Sequence, residues 1–422
     1  MLQENPAPVN PAHPYWKQNL ITLWVVQVVS QMSYSLALPF LAFFVREMGV
    51  IDGNEVKFWV GLLSMAPGLT MAIFAPIWGR ISDKYGRKLM VLRSQYASAV
   101  LLTLMGLAPT PFWLLIARIT QGMVTGTVIA SSTFVAANTP EDKMGRALGF
   151  LSSANFIGVS LGPAVGGFLA ASLGYRQTFW ISGGLTLLTA LACTVLLKEP
   201  GFSRAERRHS ISAVGSGDVR HLPFTFKDAL LVAGYILALL FLYRFSGTIF
   251  GPFLALHLEM IYGTQGILFV TGLVNMLFSV ASALAGMTLP RYAERIGKAR
   301  FSTWMLTGAV AVLILIILIP GFWPFAILYV LYGFMVGAIE PTMTAILAER
   351  VDSNHRGALF GYNALVYNLG WFIAPLAGSF VSIRWQIPTI FWVMLVAQIT
   401  SLFLARRIAK VYVKPIAGKS QL

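Results

Sequence analysis

The chain has one cysteine, Cys193, among 422 residues. That excludes an internal disulfide and any cysteine-based metal site. Charge is also scarce: 11% of residues are charged, against roughly 25% in a soluble domain. Acids are the rarer sign, 16 against 31 Lys and Arg. With 57% hydrophobic residues, the chain cannot cover a water-facing surface, so lipid must replace water around most of it. No phosphate-binding G-x-x-x-x-G-K-[ST], zinc motif or nucleophile elbow occurs. These absences argue against an enzyme and against coupling to ATP. The start, MLQENPAPVNPAHPYWKQ, lacks the basic head, short apolar core and cleavage site of a signal peptide.

What is present is a series of twelve apolar runs, each close to the roughly 20 residues that cross a bilayer. The first six lie near 20–46, 58–79, 89–108, 112–137, 147–171 and 177–197. The second six lie near 229–257, 264–289, 301–319, 324–348, 357–382 and 386–405. Runs this long are helices, because backbone groups in lipid must be paired within the segment. The expected organisation is a tail over 1–19, a six-helix bundle over 20–197, a linker over 198–228, a second bundle over 229–406 and a tail over 407–422. The linker is rich in Arg, Ser and Gly and reads as a mobile connector.

The formal charge of +15 would suggest nucleic acid in a soluble protein. Its distribution points elsewhere. Arg46, Lys57, Arg176 and Arg384 fall in one set of loops, and Arg118 and Arg244 fall inside spans. The remaining 25 of the 31, counting Arg93 near the start of the third span, lie on the other side, which the positive-inside rule makes cytoplasmic, together with both termini.

The halves repeat at an offset of about 212 residues. Pro39-Phe40-Leu41-Ala42 recurs as Pro252-Phe253-Leu254-Ala255. Gly79, Asp83 and Gly86 fall opposite Pro290, Glu294 and Gly297. Gly158, Gly162, Pro163, Gly166 and Gly167 fall opposite Gly370, Ala374, Pro375, Gly378 and Ser379. Parallel repeats of this kind put a substrate site at the midplane, between the halves.

Three motifs then carry a resemblance. Gly79-Arg80-Ile81-Ser82-Asp83-Lys84-Tyr85-Gly86-Arg87-Lys88, placed in the loop between spans 2 and 3, resembles the signature G-x-x-x-D-x-x-G-R-K of the major facilitator superfamily. Arg118-Ile119-Thr120-Gln121-Gly122 resembles its R-x-x-Q-G element in span 4. The string from Gly158 to Gly167 is similar to the G-x-x-x-G-P-x-x-G-G of its antiporters. The resemblance covers nearly the whole chain, in the twelve-helix drug:proton antiporter branch. It implies an all-α fold of two pseudo-symmetric six-helix bundles in a bacterial inner membrane. It further implies a monomeric exporter of small amphiphilic compounds, driven by protons with no cofactor, in contact with lipids but not nucleic acid. Gly79, Asp83, Gly86, Arg87 and Lys88 would form a latch between the halves, and Arg118 would take part in proton transfer. The degenerate second copy of the signature loop weakens any matching latch there. For Arg118 the alternative is a structural or snorkelling role.

Charges at mid-membrane add a separate expectation. Arg244 lies halfway along span 7, and Glu340, the one acid deep in any span, lies halfway along span 10. Such charges are functional by default. Glu340 is the candidate proton carrier; the alternative is a static Arg244–Glu340 pair joining spans 7 and 10. Arg244 would favour an anionic or zwitterionic substrate. Gln27, Gln31, Tyr34, Phe40, Tyr243, Asn363 and Tyr367 are candidates to complete the pocket. The competing functions are export of a carboxylate metabolite such as a siderophore, proton-coupled nutrient import, and a sensor or scaffold that has lost transport.

Overall fold

A computed structural model describes residues 14–199, 226–350 and 356–412. For Pro76, Asp83, Glu141, Tyr367 and residues 226–233, 348–350, 356–364 and 411–412 it describes the backbone alone. The expected connector over 198–228 falls almost wholly outside these residues.

The described chain is helical throughout, because in hydrocarbon each backbone N–H needs a carbonyl from its own segment. We label the spans in order. The first bundle holds α1 (Trp16–Glu47), α2 (Gly53–Tyr85), α3 (Arg87–Leu107), α4 (Pro111–Asn138), α5 (Glu141–Leu173) and α6 (Tyr175–Leu196). The second holds α7 (Phe226–Ile249, continued by Gly251–Phe253 and Leu254–Tyr262), α8 (Ile267–Thr288) and α9 (Lys298–Leu318). It is completed by α10 (Phe322–Gly337 and Ile339–Arg350), α11 (Arg356–Arg384) and α12 (Thr389–Tyr412). A short helix, Pro290–Ile296, joins α8 to α9. Eleven of the spans are long and apolar enough, over their described residues, to cross a bilayer. The twelfth, α11, runs 29 residues and packs against α2 and α7. Both described termini and the α2–α3 junction share one end of the molecule, called here the termini end; the opposite end is the far end.

One expectation about the signature stretch is corrected. Residues 79–85 are not loop but the last two turns of α2, a 33-residue helix about 50 Å long that overshoots the hydrocarbon. Arg80, Ser82, Asp83 and Lys84 carry it into water, and the helix persists although Gly79, Ser82 and Asp83 are weak helix formers. It stops at Gly86, whose φ of +98° a side chain would resist. Gly297 repeats this stop between the short helix and α9, with φ +97°.

Four helices break, and they are the first, fourth, seventh and tenth. In α1 the α-helix gives way to a 3-10 turn at Leu38–Phe40, and in α7 to one at Gly251–Phe253. Pro39 and Pro252, in those turns, cannot supply an N–H to the ladder. In α4 the break is Thr125-Gly126, with Gly126 at φ +112°; in α10 it is Ala338. These breaks recur at nearly the same offset as the sequence repeat.

Small residues set the closest approaches. A Cβ on Gly158 would sit 2.5 Å from the Val28 carbonyl of α1, and one on Gly162 would overlap Ser35 Oγ and lie 2.8 Å from the Met32 carbonyl. One on Gly166 would overlap the Leu36 carbonyl. The second bundle repeats this: Gly370 lies over Phe241 and Arg244 of α7, and a Cβ on Gly378 would come 2.6 Å from the Ile249 carbonyl. Within lipid there is no hydrophobic drive between helices, so such contact packing supplies the association.

Gly162→Leu is therefore expected to destabilise the folded protein by about 1–3 kcal/mol through overpacking. A thermal unfolding transition in detergent measures it. Gly184→Leu, at a position open for 4 Å around, leaves that transition in place.

Candidate functional site

The two bundles meet along α2–α11 and α5–α8. Gly61 admits Ser379 and Pro375, Gly68 admits Trp371, and Gly167 and Gly272 admit the backbones of Leu268 and Pro163. Polar bonds reinforce the far end. Lys57 Nζ donates to the Ser382 carbonyl at 3.0 Å, and Ser379 Oγ donates to the Lys57 carbonyl at 3.0 Å. Arg46, at the end of α1, donates to both carboxylate oxygens of Glu259 at the end of α7, at 2.8 and 2.7 Å. The protein is thus sealed at its far end.

Phe40 belongs to this seal. It is 1% exposed, and its ring lies 3.2 Å from where a Cβ on Gly167 would stand. The 3-10 turn at Pro39 places it in the packed core of the seal rather than on a pocket wall, which corrects the pocket assignment. Phe253 stands in the same relation to Gly378 in the other half.

Below the seal lie the buried charges. Arg118, two turns into α4, is 3% exposed. Its Nε donates to the Leu63 carbonyl of α2 at 3.1 Å, and a terminal nitrogen donates to Gln121 Oε1 at 2.9 Å. Its guanidinium stands 5.8 Å from the Tyr34 ring of α1. Arg118 does not snorkel. It is buried and joins three helices, and Gln121 of its own motif fixes its orientation. Tyr34 and Gln31 are half-buried on α1, Gln31 beside Gly158 of α5. Gln27 is fully buried and donates to Asn155 Oδ1 at 2.7 Å, which makes it an α1–α5 tie.

In the second bundle Glu340 is half-buried in the first turn after the α10 break, and the charge of Arg244 on α7 reaches it. The two do not close an ion pair within 4.0 Å; the ion pairs among the described residues are Arg46–Glu259 and Arg176–Glu47. The stem of Arg244 packs on Gly370 of α11, 3.1 Å from a Cβ there. Tyr243 packs half-buried against the core. The side chains of Asn363 and Tyr367, on α11, lie outside the described residues.

The same holds for the side chain of Asp83. The acid the structure does place at the signature stretch is Glu199. Its two carboxylate oxygens accept from the backbone N–H groups of Arg87 and Lys88, at 3.1 and 3.0 Å, capping the N-terminus of α3. Lys88 Nζ in turn donates to the Thr194 and Leu197 carbonyls at the end of α6. Gly79 is exposed, with nothing within 4 Å.

Two further clusters have no local signature. Gln398 of α12 donates to Tyr332 Oη at 2.8 Å and to Ser246 Oγ at 3.2 Å, tying α12, α10 and α7 together. His257 is buried among Phe250, Phe325 and Phe391, with ring centroids 4.7 to 5.6 Å away.

A sealed pair of six-helix bundles, with its broken helices carrying the buried charges, is the architecture of a membrane transporter rather than an enzyme. The chain belongs to the Major Facilitator Superfamily, whose sequence profile matches residues 23–263 and 236–421. It is 30% identical over 379 residues to the Multidrug resistance protein MdtG of Escherichia fergusonii, covering 90% of this chain and 91% of that one. It is 28% identical to the Multi-drug resistance efflux pump PmrA of Streptococcus pneumoniae, covering 89% and 92%. Its fold is similar to a bacterial homologue of the human lysosomal transporter Spinster, with TM-score 0.74 at 14% identity over 95% of this chain and 98% of that one. The human organic anion transporter MFSD10 gives 0.67 at 18% identity over 93% and 100%.

Glu199→Ala is expected to remove the α3 cap at a cost of about 1 kcal/mol. Hydrogen exchange at the Arg87 and Lys88 amides should quicken, and less so in Glu199→Gln, which keeps one acceptor.

Proposed function

We propose that the protein exports small amphiphilic compounds across a bacterial inner membrane in exchange for protons. The observation that carries the reading is the position of Glu340: the one acid deep in any span stands at the break of α10, on one of the four broken helices and within reach of Arg244's charge. The direction of transport is drawn from the similarity to the multidrug resistance protein MdtG and the efflux pump PmrA, and from the similarity of the α5 string to the antiporter motif.

The positive-inside rule assigns the termini end, with its 25 cations, to the cytoplasm. On that assignment the seal faces outward and substrate loads from the cytoplasmic side. Ionised Glu340 holds the cationic part of a substrate; a proton arriving from outside neutralises it and ejects the substrate. Arg118 keeps the α1–α2–α4 wall in register. Arg244 and Arg118 outnumber the single acid, so the cleft also accommodates a negative group. That favours zwitterions, and it keeps a carboxylate metabolite such as a siderophore as the second reading.

Two experiments test this. In purified protein, substrate binding should weaken as pH falls through the titration of Glu340, since only the ionised form holds a cation. Glu340→Gln should bind weakly at every pH and lose proton-coupled efflux. If it keeps pH-driven efflux at the wild-type rate, Glu340 is structural. Alternation is tested at the seal. Ser379 Cβ lies 2.5 Å from where a Cβ on Gly61 would stand, so Gly61→Cys with Ser379→Cys, in a Cys193→Ala background, comes within disulfide reach after a shift of about 1 Å. Oxidation should stop efflux and reduction restore it; continued efflux by the cross-linked protein would rule out opening at this end.

A further inference from the structure

At the termini end, the corner between α9 and α12 holds a cavity of about 500 Å³ on the outside of the second bundle. Its rim carries four cations, Arg300, Arg406, Arg407 and Lys410, and its inner wall carries Trp304 and Phe403. All six side chains are exposed. None of the four cations takes part in an ion pair or hydrogen bond with a described residue; the one contact recorded for them is Arg407 over the Phe403 ring, 4.9 Å from its centroid.

The first bundle serves as an internal control. At the repeat offset, Arg300, Arg406, Arg407 and Lys410 fall opposite Lys88, Thr194, Val195 and Lys198. There the corner is closed by the protein itself. Lys88 is spent on the α6 carbonyls, Lys198 stacks on Tyr15 at 4.5 Å, and Gln18 and Asn19 of α1 bond the Leu196 and Lys198 carbonyls. Glu199 supplies a negative charge beside them. A general excess of cations at one end of a membrane protein accounts for the sign of the second corner. It does not account for four cations on two adjacent helices around a cavity that none of the described residues covers, where the equivalent corner has two, both engaged.

The depth of the aromatics indicates the ligand. Trp304 lies six residues inside α9, about 9 Å from its start, and Phe403 lies nine residues before the end of α12, about 13 Å. Arg300 and Lys410 stand about 3 Å from these ends, Arg407 and Arg406 about 8 and 9 Å, so the cations lie between the helix ends and the level of the rings, with Phe403 deepest. A ligand matching both has a multiply charged anionic head and apolar chains. We propose that the α9–α12 corner binds an anionic membrane phospholipid, with the diphosphate headgroup of diphosphatidylglycerol on the four cations and acyl chains along Trp304 and Phe403. Basic pockets between helix ends take such headgroups, each cation contributing roughly fivefold in affinity.

The test uses the purified full-length protein in non-ionic detergent, titrated with diphosphatidylglycerol, phosphatidylglycerol or phosphatidylcholine, with bound lipid counted by native mass spectrometry. Diphosphatidylglycerol should bind more tightly than phosphatidylglycerol, and phosphatidylcholine should not compete. Arg406→Gln with Arg407→Gln should weaken diphosphatidylglycerol about 25-fold. Lys17→Gln with Arg146→Gln, which removes the same charge from the first bundle, should leave the affinity within twofold. Three results would overturn the proposal: equal loss in both double variants, no loss in Arg406→Gln/Arg407→Gln, or displacement of the lipid by inorganic phosphate at matched phosphate concentration.

Discussion

The rest of the structure depends on backbone-to-backbone contact between α5 and α1, and between α11 and α7. A helix in lipid gains nothing from hiding apolar side chains, so neighbours stay together only if they approach closely enough for dispersion and polar contact to accumulate. Gly158, Gly162 and Gly166 provide that approach on α5, and Ser35 Oγ uses it to reach the Gly158 carbonyl at 3.3 Å. The opposite edge of α5, at Pro163 and Gly167, is then free to meet α8. The same geometry lets α11 hold α7 through Gly370 and Gly378 while Pro375 and Ser379 meet α2 at Gly61. Each half thus has one helix bound to its own central span on one edge and crossing to the other half on the other.

That arrangement was legible before the fold was known, because length, apolar runs and glycine spacing are periodic and local. The twelve spans, the repeat and the α5 string follow from such signals. What could not be read depends on partners distant in sequence or on backbone angles. Glu199 caps α3 from 111 residues away. The break at Ala338 occurs at a residue with no helix-breaking chemistry of its own, and the one at Thr125-Gly126 shows only in the backbone angles. Residues 79–85 read as loop because they are polar, yet polar residues also extend a helix into water. Phe40 was legible as an aromatic near the end of α1 but not as part of the seal, since the Pro39 turn decides which way it packs. The Ser246–Tyr332–Gln398 trio joins three helices spread over 152 residues and leaves no pattern in any of them.

The buried charges divide by the company they keep. Arg118 is held by a carbonyl, an amide and an aromatic face, all neutral, so its charge is stabilised in place without being cancelled. Glu340 sits at a helix break with a cation near but outside contact. A charge held by fixed neutral dipoles keeps one state, whereas a carboxylate facing a cation across a gap is sensitive to any movement that changes the gap.

The far-end seal has a consequence for the medium outside. Its one ion pair, Arg46–Glu259, keeps side-chain exposures of 40% and 23%. An exposed pair contributes at most about 1 kcal/mol and is screened over about 8 Å at physiological ionic strength. Beside it, the seal relies on the packed core that holds Phe40 and Phe253, on two hydrogen bonds, one of them from the Lys57 ammonium, and on uncharged glycine contacts. External salt therefore weakens this one contact between the halves and leaves the uncharged packing beside it in place.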